Sequence, residues 1–344
     1  MEKISQNTDF LIPDRYPQED LFICDVADAV LKDLTQHFEH PFYSLSKKPE
    51  LCIRRYEHNG NWLEITPSIK GLATIYDKDI LIYCISKIMS KNNKNESISK
   101  RVRINTRDLL QFTNRGTSGR DYMALIEALD RLEGTRIRTN IVTGDEEQIN
   151  GFGLIDASAI RRKHGLDGRL LWCEIILSDW IFNAIQAKQV LTLHRDYFRL
   201  RKPIERRIYE IARKHCGHQR NWKINLSLLL KKSGAKSSLN KFRYMMNNLI
   251  KSNHLPDYTI EIDDDIITFI NKNKVTRSSQ IQAFPHLNPE TYHKARIVAP
   301  RYDIYYLEDE WREFWMNNNR PILKNPDAAF IAFCKKRYEK NPNP

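Results

Sequence analysis

The sequence predicts an α+β fold that contains two copies of one small helix-and-hairpin unit. In the second copy, a short apolar helix at Ser227–Lys232 is followed by a turn with Gly234 and a longer helix at Ser238–Lys251. Two short strands, Tyr258–Ile262 and Ile266–Asn271, come next. A helix, a tight turn with glycine, a second helix and a β-hairpin follow one another in this order in winged helix-turn-helix domains.

The second observation is an internal repeat at low identity. Residues 102–110 match residues 222–230 in their pattern of apolar and polar positions, at an offset of 120 residues. A Ser-Gly turn, an amphipathic helix and a strand follow in both places, and we expect Arg136–Ile141 to correspond to Tyr258–Ile262. A duplication of this kind predicts two winged-helix domains in tandem, with an N-terminal arm and a C-terminal helical tail.

Proline positions and apolar periodicity divide the chain into five segments. We expect an N-terminal arm over residues 1–50, a first winged-helix domain over 51–190, a second over 191–272, a linker over 273–302 and a helical tail over 303–344. The tail is predicted to hold two short helices, and Asp327 is expected to cap the second.

The first domain has the periodicities of mixed strands and helices. We expect strands at residues 51–56, 62–66, 102–104, 136–142, 149–155 and 170–177. Helices are expected around residues 80–89, 106–112, 119–132 and 180–187, and a hairpin turn at Gly144-Asp145.

The longer helix of the second copy has two unlike faces. One face is an apolar stripe for the core, made of Leu239, Phe242, Met246 and Leu249. The other has no acidic residue, and asparagine and arginine can make bidentate hydrogen bonds to adenine and guanine in the major groove. We expect DNA contacts from Asn240, Lys241, Arg243, Tyr244, Asn247, Asn248 and Lys251, and phosphate contacts at the helix start from Lys236, Ser237 and Ser238. The alternative is a solvated helix face without a partner.

The helix before this unit, Ile204–Cys216, begins after Pro203, a residue suited to the first helical position. In a winged helix the leading helix packs across the DNA-facing one. Its predicted polar face carries Arg206 and Arg207, which we expect either to reach phosphates or to be solvated.

The positive charge of the chain is local. Sixteen basic and three acidic residues lie between Arg195 and Pro256, a net charge of +13, whereas the whole chain has +12. A field of this kind predicts a polyanionic partner. A membrane surface would also attract it, but no lipid-facing amphipathic helix accompanies it.

The first copy differs in charge. Its long helix carries Arg120 and Arg131 against four carboxylates, which would repel phosphates. We therefore expect the second copy to be the main DNA-binding domain. The first copy would either touch DNA through Arg115, Arg120, Arg136 and Arg138 or serve as a protein interface, for example in a homodimer.

Motifs of catalysis, cofactor binding and metal binding are missing from the sequence. It has no P-loop, no nucleophile elbow and no H-E-x-x-H, and its six cysteines are scattered without zinc-ligand spacing. Three aspartates at Asp263–Asp265 fit an ordinary hairpin turn better than a nuclease site. Because these motifs are missing, we expect a protein without enzymatic activity, cofactor or metal. We also expect it to be cytoplasmic and free of membrane contact, because the N-terminus lacks the pattern of a signal peptide and the longest apolar run is too short to span a bilayer.

Several motifs in a fixed order resemble those of the plasmid replication initiators of the Replication initiator protein A group. They are Arg15–Asp25, His40–Ser46, Tyr56–Gly60, Gly71–Asp79, Leu132–Ile137 and Asn325–Phe330. The resemblance implies an initiator that binds repeated double-stranded sites at a plasmid origin and recruits host proteins, a replication initiator and a helicase. The sequence alone leaves a winged-helix transcriptional regulator, or an initiator that represses its own gene, as an alternative.

Overall fold

The computed structural model describes residues 11–16, 31–146, 148, 150–162, 170–217, 219–272, 274, 287–300, 302, 304–317 and 325–340. Most of the first motif, residues 17–25, lies outside this part of the chain. The chain divides into two compact units, Met1–Lys274 and Val275–Pro344. Among the described residues, no helix is long and apolar enough to cross a membrane.

The larger unit has two halves. The first half comprises β1 (Lys32–Leu34), α1 (Thr35–Glu39), β2 (Arg54–His58), β3 (Asn61–Thr66), α2 (Lys78–Asn93), β4 (Arg101–Asn105), α3 (Thr106–Phe112), α4 (Gly119–Gly134), β5 (Arg136–Thr139), β6 (Phe152–Gly153), β7 (Ile155–Arg162), β8 (Leu170–Leu177), α5 (Asp179–Gln186) and β9 (Val190–Thr192). The second half comprises a 3-10 helix (Arg195–Arg199), α6 (Pro203–His215), β10 (Asn221–Asn225), α7 (Leu226–Ser233), α8 (Leu239–Ser252), β11 (Tyr258–Asp263) and β12 (Ile266–Asn271).

One order of elements occurs in both halves. In each, a helix is followed by a strand, two helices and two further strands of one sheet, and the last strand lies between the other two. The sheets are β4-β8-β7 and β10-β12-β11. Asn105 and Asn225 cap α3 and α7 in the same way, because each side chain accepts a hydrogen bond from the backbone N–H two residues later. The repeat that the sequence predicts is therefore present in the order of the elements.

The strand predicted to be the first-half equivalent of β11 is the wrong one. Arg136–Thr139 does not join the β4-β8-β7 sheet; it pairs with β3 and β6 in a separate sheet of order β2-β3-β5-β6. The strand in the position of β11 is β7, which pairs with β8. The offset of 120 residues fails here because the first half inserts β5, β6 and their connection between α4 and β7.

The turn between α7 and α8 depends on one glycine. Gly234 has a φ of 70°, in the left-handed region that glycine adopts without steric cost. A Cβ at this position would lie 2.6 Å from the Cβ of Pro41. The helix-turn-helix of the second half is therefore packed against a segment of the first half.

The segment expected to be an N-terminal arm contributes to the interior from residue 31 onwards. β1 pairs with β9, and Leu34, Phe38 and Phe42 are buried. Phe42 belongs to the apolar core of the first half, and Phe38 belongs to that of the second. This segment therefore joins the two cores by apolar burial.

Buried ion pairs also connect the halves. Lys78, at the start of α2, lies 3.0 Å from the Oδ2 of Asp33 and contacts the carboxylate of Glu210 in α6. All three side chains are buried. Burial alone would raise the pKa of Asp33, but Lys78 and His37 outweigh it and lower that pKa to about 2.

Arg206 and Arg207 belong to this interior, and the prediction that they face solvent is wrong. Both are only 3% exposed. Arg206 makes an ion pair of 2.7 Å with Asp79 of α2, and Arg207 one of 3.2 Å with Glu210. Arg207 also donates to the carbonyls of His37 and Phe38. These two side chains thus face the first half, which supplies Asp79 and the carbonyls, whereas Glu210 is supplied by α6 itself.

In its described residues, the smaller unit has three helices, α9 (Pro289–Val298), α10 (Ile304–Asn317) and α11 (Pro326–Lys340). The last two agree with the predicted tail, but α9 lies where a linker was expected, and Ala295 packs in its core. Asp327 does not cap its own helix. Its carboxylate accepts hydrogen bonds from the backbone of Asn288 and the hydroxyl of Thr291, at the start of α9.

Candidate nucleic-acid interface

The outward face of α8 is open to solvent. Phe242, Met246 and Leu249 point into the core, as the spacing predicts, which turns the polar side of the helix outwards. Tyr244 is 67% exposed. Exposed residues around it are Asn240, Lys241 and Lys251, and Asn247 and Asn248 are half-buried. We call these six residues, with Arg243, the α8 face.

The start of α8 is held by its cap and by the first half. The hydroxyl of Ser238 accepts a hydrogen bond from the backbone of Lys241, and Ser237 is half-buried beside it. The side chain of Lys236 is 64% exposed, and its Nζ lies 3.0 Å from the carboxylate of Glu50. Burial opposes ionisation of Glu50, but Arg54 and Lys236 outweigh it and lower the pKa of that carboxyl. A phosphate at this helix end would therefore compete with Glu50 for Lys236.

Arg243 is fastened to the hairpin turn between β11 and β12. Its Nη1 donates to the carbonyl of Asp264 over 2.6 Å, and its Nη2 contacts the carboxylate of Asp265. Asp264 has a φ of 48°, the left-handed conformation that aspartate adopts in such turns. The guanidinium is about one-third exposed, so it stays at the edge of the α8 face with free donors.

The four arginines of the first half that were predicted to contact DNA differ in their surroundings. Arg115 is a structural cation, because it donates to the carbonyl of Tyr76 over 2.5 Å and lies 3.0 Å from Asp79. Arg120 is exposed at the start of α4. Arg136 and Arg138 are exposed on the outer face of β5, where Arg136 donates to the carbonyl of Gly151. These residues do not gather on one helix face as those of α8 do.

Two carboxylates that bear on the interface were missed by sequence reasoning. Glu50 lies far from Lys236 in the chain, and nothing in the sequence signals that contact. Asp265 is predicted as part of an acidic hairpin turn unsuited to the minor groove, but its pairing with Arg243 is not predicted. Both place negative charge beside cations expected to meet DNA.

Comparisons with known proteins identify the family. Residues 32–260 match the family of Replication initiator protein A. A protein of Wigglesworthia glossinidia brevipalpis named "Putative replication protein" is 41% identical over 264 residues, which cover 76% of this chain and 96% of the relative.

A crystal structure of domains 2 and 3 of RctB has a similar fold, with a TM-score of 0.51 and 12% sequence identity. The alignment covers 68% of this chain and 97% of that one. At this identity the likeness concerns the fold alone. The match over residues 32–260 and the 41% identical relative agree with each other and with the motif order, and the chain therefore belongs to the Replication initiator protein A family.

Proposed function

We propose that this protein is a plasmid replication initiator that binds repeated double-stranded origin sites in a sequence-specific manner. In this proposal both halves of the larger unit are winged-helix domains, and α8 of the second half enters the major groove. The first half makes accessory DNA contacts or pairs with a second copy of the chain. The protein acts in the cytoplasm without catalysis and recruits a host initiator and a helicase.

The observation that carries the proposal is the composition and exposure of the α8 face. Three asparagines, two lysines, an arginine and a tyrosine lie along one side of a helix, and that side contains no carboxylate of its own. Lysine and arginine supply sequence-independent attraction to phosphates, whereas asparagine and arginine distinguish base edges. The membership of the Replication initiator protein A family supports the replication role of this DNA contact.

Footprinting of the purified protein on the DNA that flanks its own gene tests the proposal. We expect several protected blocks that share one sequence. If about six phosphates are neutralised, the logarithm of the affinity should fall with the logarithm of salt concentration with a slope of about −5. Protection without any preferred site would contradict sequence-specific binding.

A genetic test separates initiation from transcriptional regulation. A minimal plasmid from which the coding region is deleted should replicate only when the protein is supplied in trans. A regulator would not be required under these conditions. Incubation of supercoiled origin DNA with the protein and Mg²⁺ should give no relaxed product, because the proposed role has no strand-cleavage step.

A further inference from the structure

A cavity of about 530 Å³ opens beside β4 in the first half, and none of its lining residues is among those proposed to contact duplex DNA. Its walls come from the C-terminal part of α2, the segment that follows it, β4 and β8. This volume lies within the range of about 300–1,000 Å³ found for sites of small ligands. We call it the β4 cavity.

The lining of the β4 cavity is cationic. Lys87, Lys91, Arg101 and Arg103 line it, and none of its lining residues is acidic. Lys87 donates to the carbonyl of Arg103 over 3.1 Å, and Arg101 is paired with Glu174 at 2.5 Å. Lys91 and Arg103 are exposed. The excess of positive charge favours an anionic ligand.

A stacked pair of planar groups lines the cavity. The guanidinium carbon of Arg103 lies over the indole ring of Trp172, 4.0 Å from the ring centroid, so the cation covers one face of the ring. Aromatic rings and arginine planes are the surfaces on which unpaired nucleic-acid bases stack. Asn105 and the serines of the segment after α2 add hydrogen-bonding groups at the margin.

We propose that the β4 cavity binds a nucleotide with an unpaired base, either within single-stranded DNA or as a free nucleotide. The base extends the Arg103–Trp172 stack, and the phosphate lies among Lys87, Lys91 and Arg101. A double helix keeps its bases stacked inside, so only its phosphates would reach the mouth of the cavity. An acidic peptide would satisfy the cations but would leave the Arg103–Trp172 stack without a further planar group.

Fluorescence anisotropy of a labelled oligothymidylate with the full chain tests this site. Lys91→Glu and Arg103→Ala should each weaken binding about ten-fold, within the range measured for single stacking or ionic contacts. Lys94→Glu is the matched control, because Lys94 is an exposed lysine that follows α2 but lies outside the cavity lining. Equal effects of the two lysine variants would overturn the proposal.

Competition distinguishes the sources of the ligand. Displacement by thymidine monophosphate indicates a free-nucleotide site, and displacement only by unlabelled oligothymidylate indicates a single-strand site; both support the proposal. Equal displacement by a duplex of the same length, or by polyglutamate, would overturn it. A bromodeoxyuridine-substituted oligonucleotide should crosslink to the peptide that contains Trp172, and crosslinks confined to other peptides would also overturn it.

The proposed function and this inference fail separately. Asn247→Ala should reduce protection of origin DNA and leave oligothymidylate binding unchanged. Arg103→Ala should do the opposite. If the protein gives no footprint on duplex DNA and no sequence preference, the comparison of Lys91→Glu with Lys94→Glu and the crosslink to the Trp172 peptide still test the β4 cavity.

Discussion

The Nη1 of Arg243 donates to the carbonyl of Asp264 over 2.6 Å, which fastens the α8 face to the turn of the β11–β12 hairpin. The same turn holds the start of α7, because the backbone N–H of Leu226 donates to the carbonyl of Asp265 over 2.7 Å. The hairpin turn thus sets the position of Arg243 relative to the rest of the helix-turn-helix. Its carboxylates also bring negative charge close to the expected path of the phosphates.

Asp265→Asn should separate these two roles of the turn. Removal of one carboxylate should tighten binding to random DNA by up to about 1 kcal/mol, the energy of two unit charges roughly 4 Å apart in water. Since Arg243 loses its orienting partner, the preference for cognate over random DNA should fall by about 1 kcal/mol. Anisotropy titrations with both DNAs measure the two effects.

Asp263→Asn is the control for this variant. It removes the same charge from the same hairpin but no contact with Arg243. It should tighten binding to both DNAs equally. A fall in the cognate preference of the same size in Asp263→Asn would refute an orienting role for Asp265.

Lys78→Met should strongly destabilise the protein. The change leaves the buried carboxylates of Asp33 and Glu210 without their shared cation. Loss of one partner of a buried ion pair typically costs about 3–5 kcal/mol. Urea unfolding should report this loss, whereas Lys94→Met, at an exposed position, should stay within about 0.5 kcal/mol of the parent protein.

Gly234→Ala should destabilise the helix-turn-helix. Alanine at a φ of 70° costs about 1–2 kcal/mol, and its Cβ would also clash with Pro41. Gly119→Ala is the matched comparison, because no atom lies within 4 Å of a Cβ at that position. It should leave the midpoint of urea unfolding unchanged or raise it. Equal midpoints for the two variants would contradict the packing of this turn.

Stability should rise with pH between about 4 and 6.5 because of His40. Burial lowers the pKa of His40 from 6.5 to about 4, so in this range the unfolded chain binds the proton and the folded protein does not. The contribution of His40 to the free energy of unfolding is complete above pH 6.5 and is lost as the pH falls towards 4. The total loss is about 3 kcal/mol at most. The difference in unfolding free energy between the parent protein and His40→Gln should change with pH over this range, and a constant difference would refute the assignment.

Local patterns in the sequence predicted the second half well. The spacing of Leu239, Phe242, Met246 and Leu249 indicates a buried stripe; the structure buries the last three and half-buries Leu239 against the same core. The strands Tyr258–Ile262 and Ile266–Asn271 were placed within one residue, because polar turn residues separate two apolar runs there. Apolar periodicity and turn residues depend on only a few neighbouring residues, so a single sequence is enough to recognise them.

Contacts between distant segments were not predictable in this way. Arg206 and Arg207 have the spacing of a solvated helix face, and only the fold places Asp79 and the carbonyls of α1 against them. The pairing of β5 with β3 likewise depends on a partner about seventy residues earlier. The charge pattern of a helix does not show whether a carboxylate from a distant segment will pair with its cations and bury them.

The most direct test of the α8 face is the cognate-to-random affinity ratio of Asn247→Ala. After footprinting has defined the cognate site, anisotropy titrations should show this variant losing about 1–3 kcal/mol on that site and far less on random DNA. Asn93→Ala, at an exposed position of α2, serves as the control and should match the parent protein. Equal losses by Asn247→Ala on both DNAs, or no loss on either, would contradict base recognition by α8.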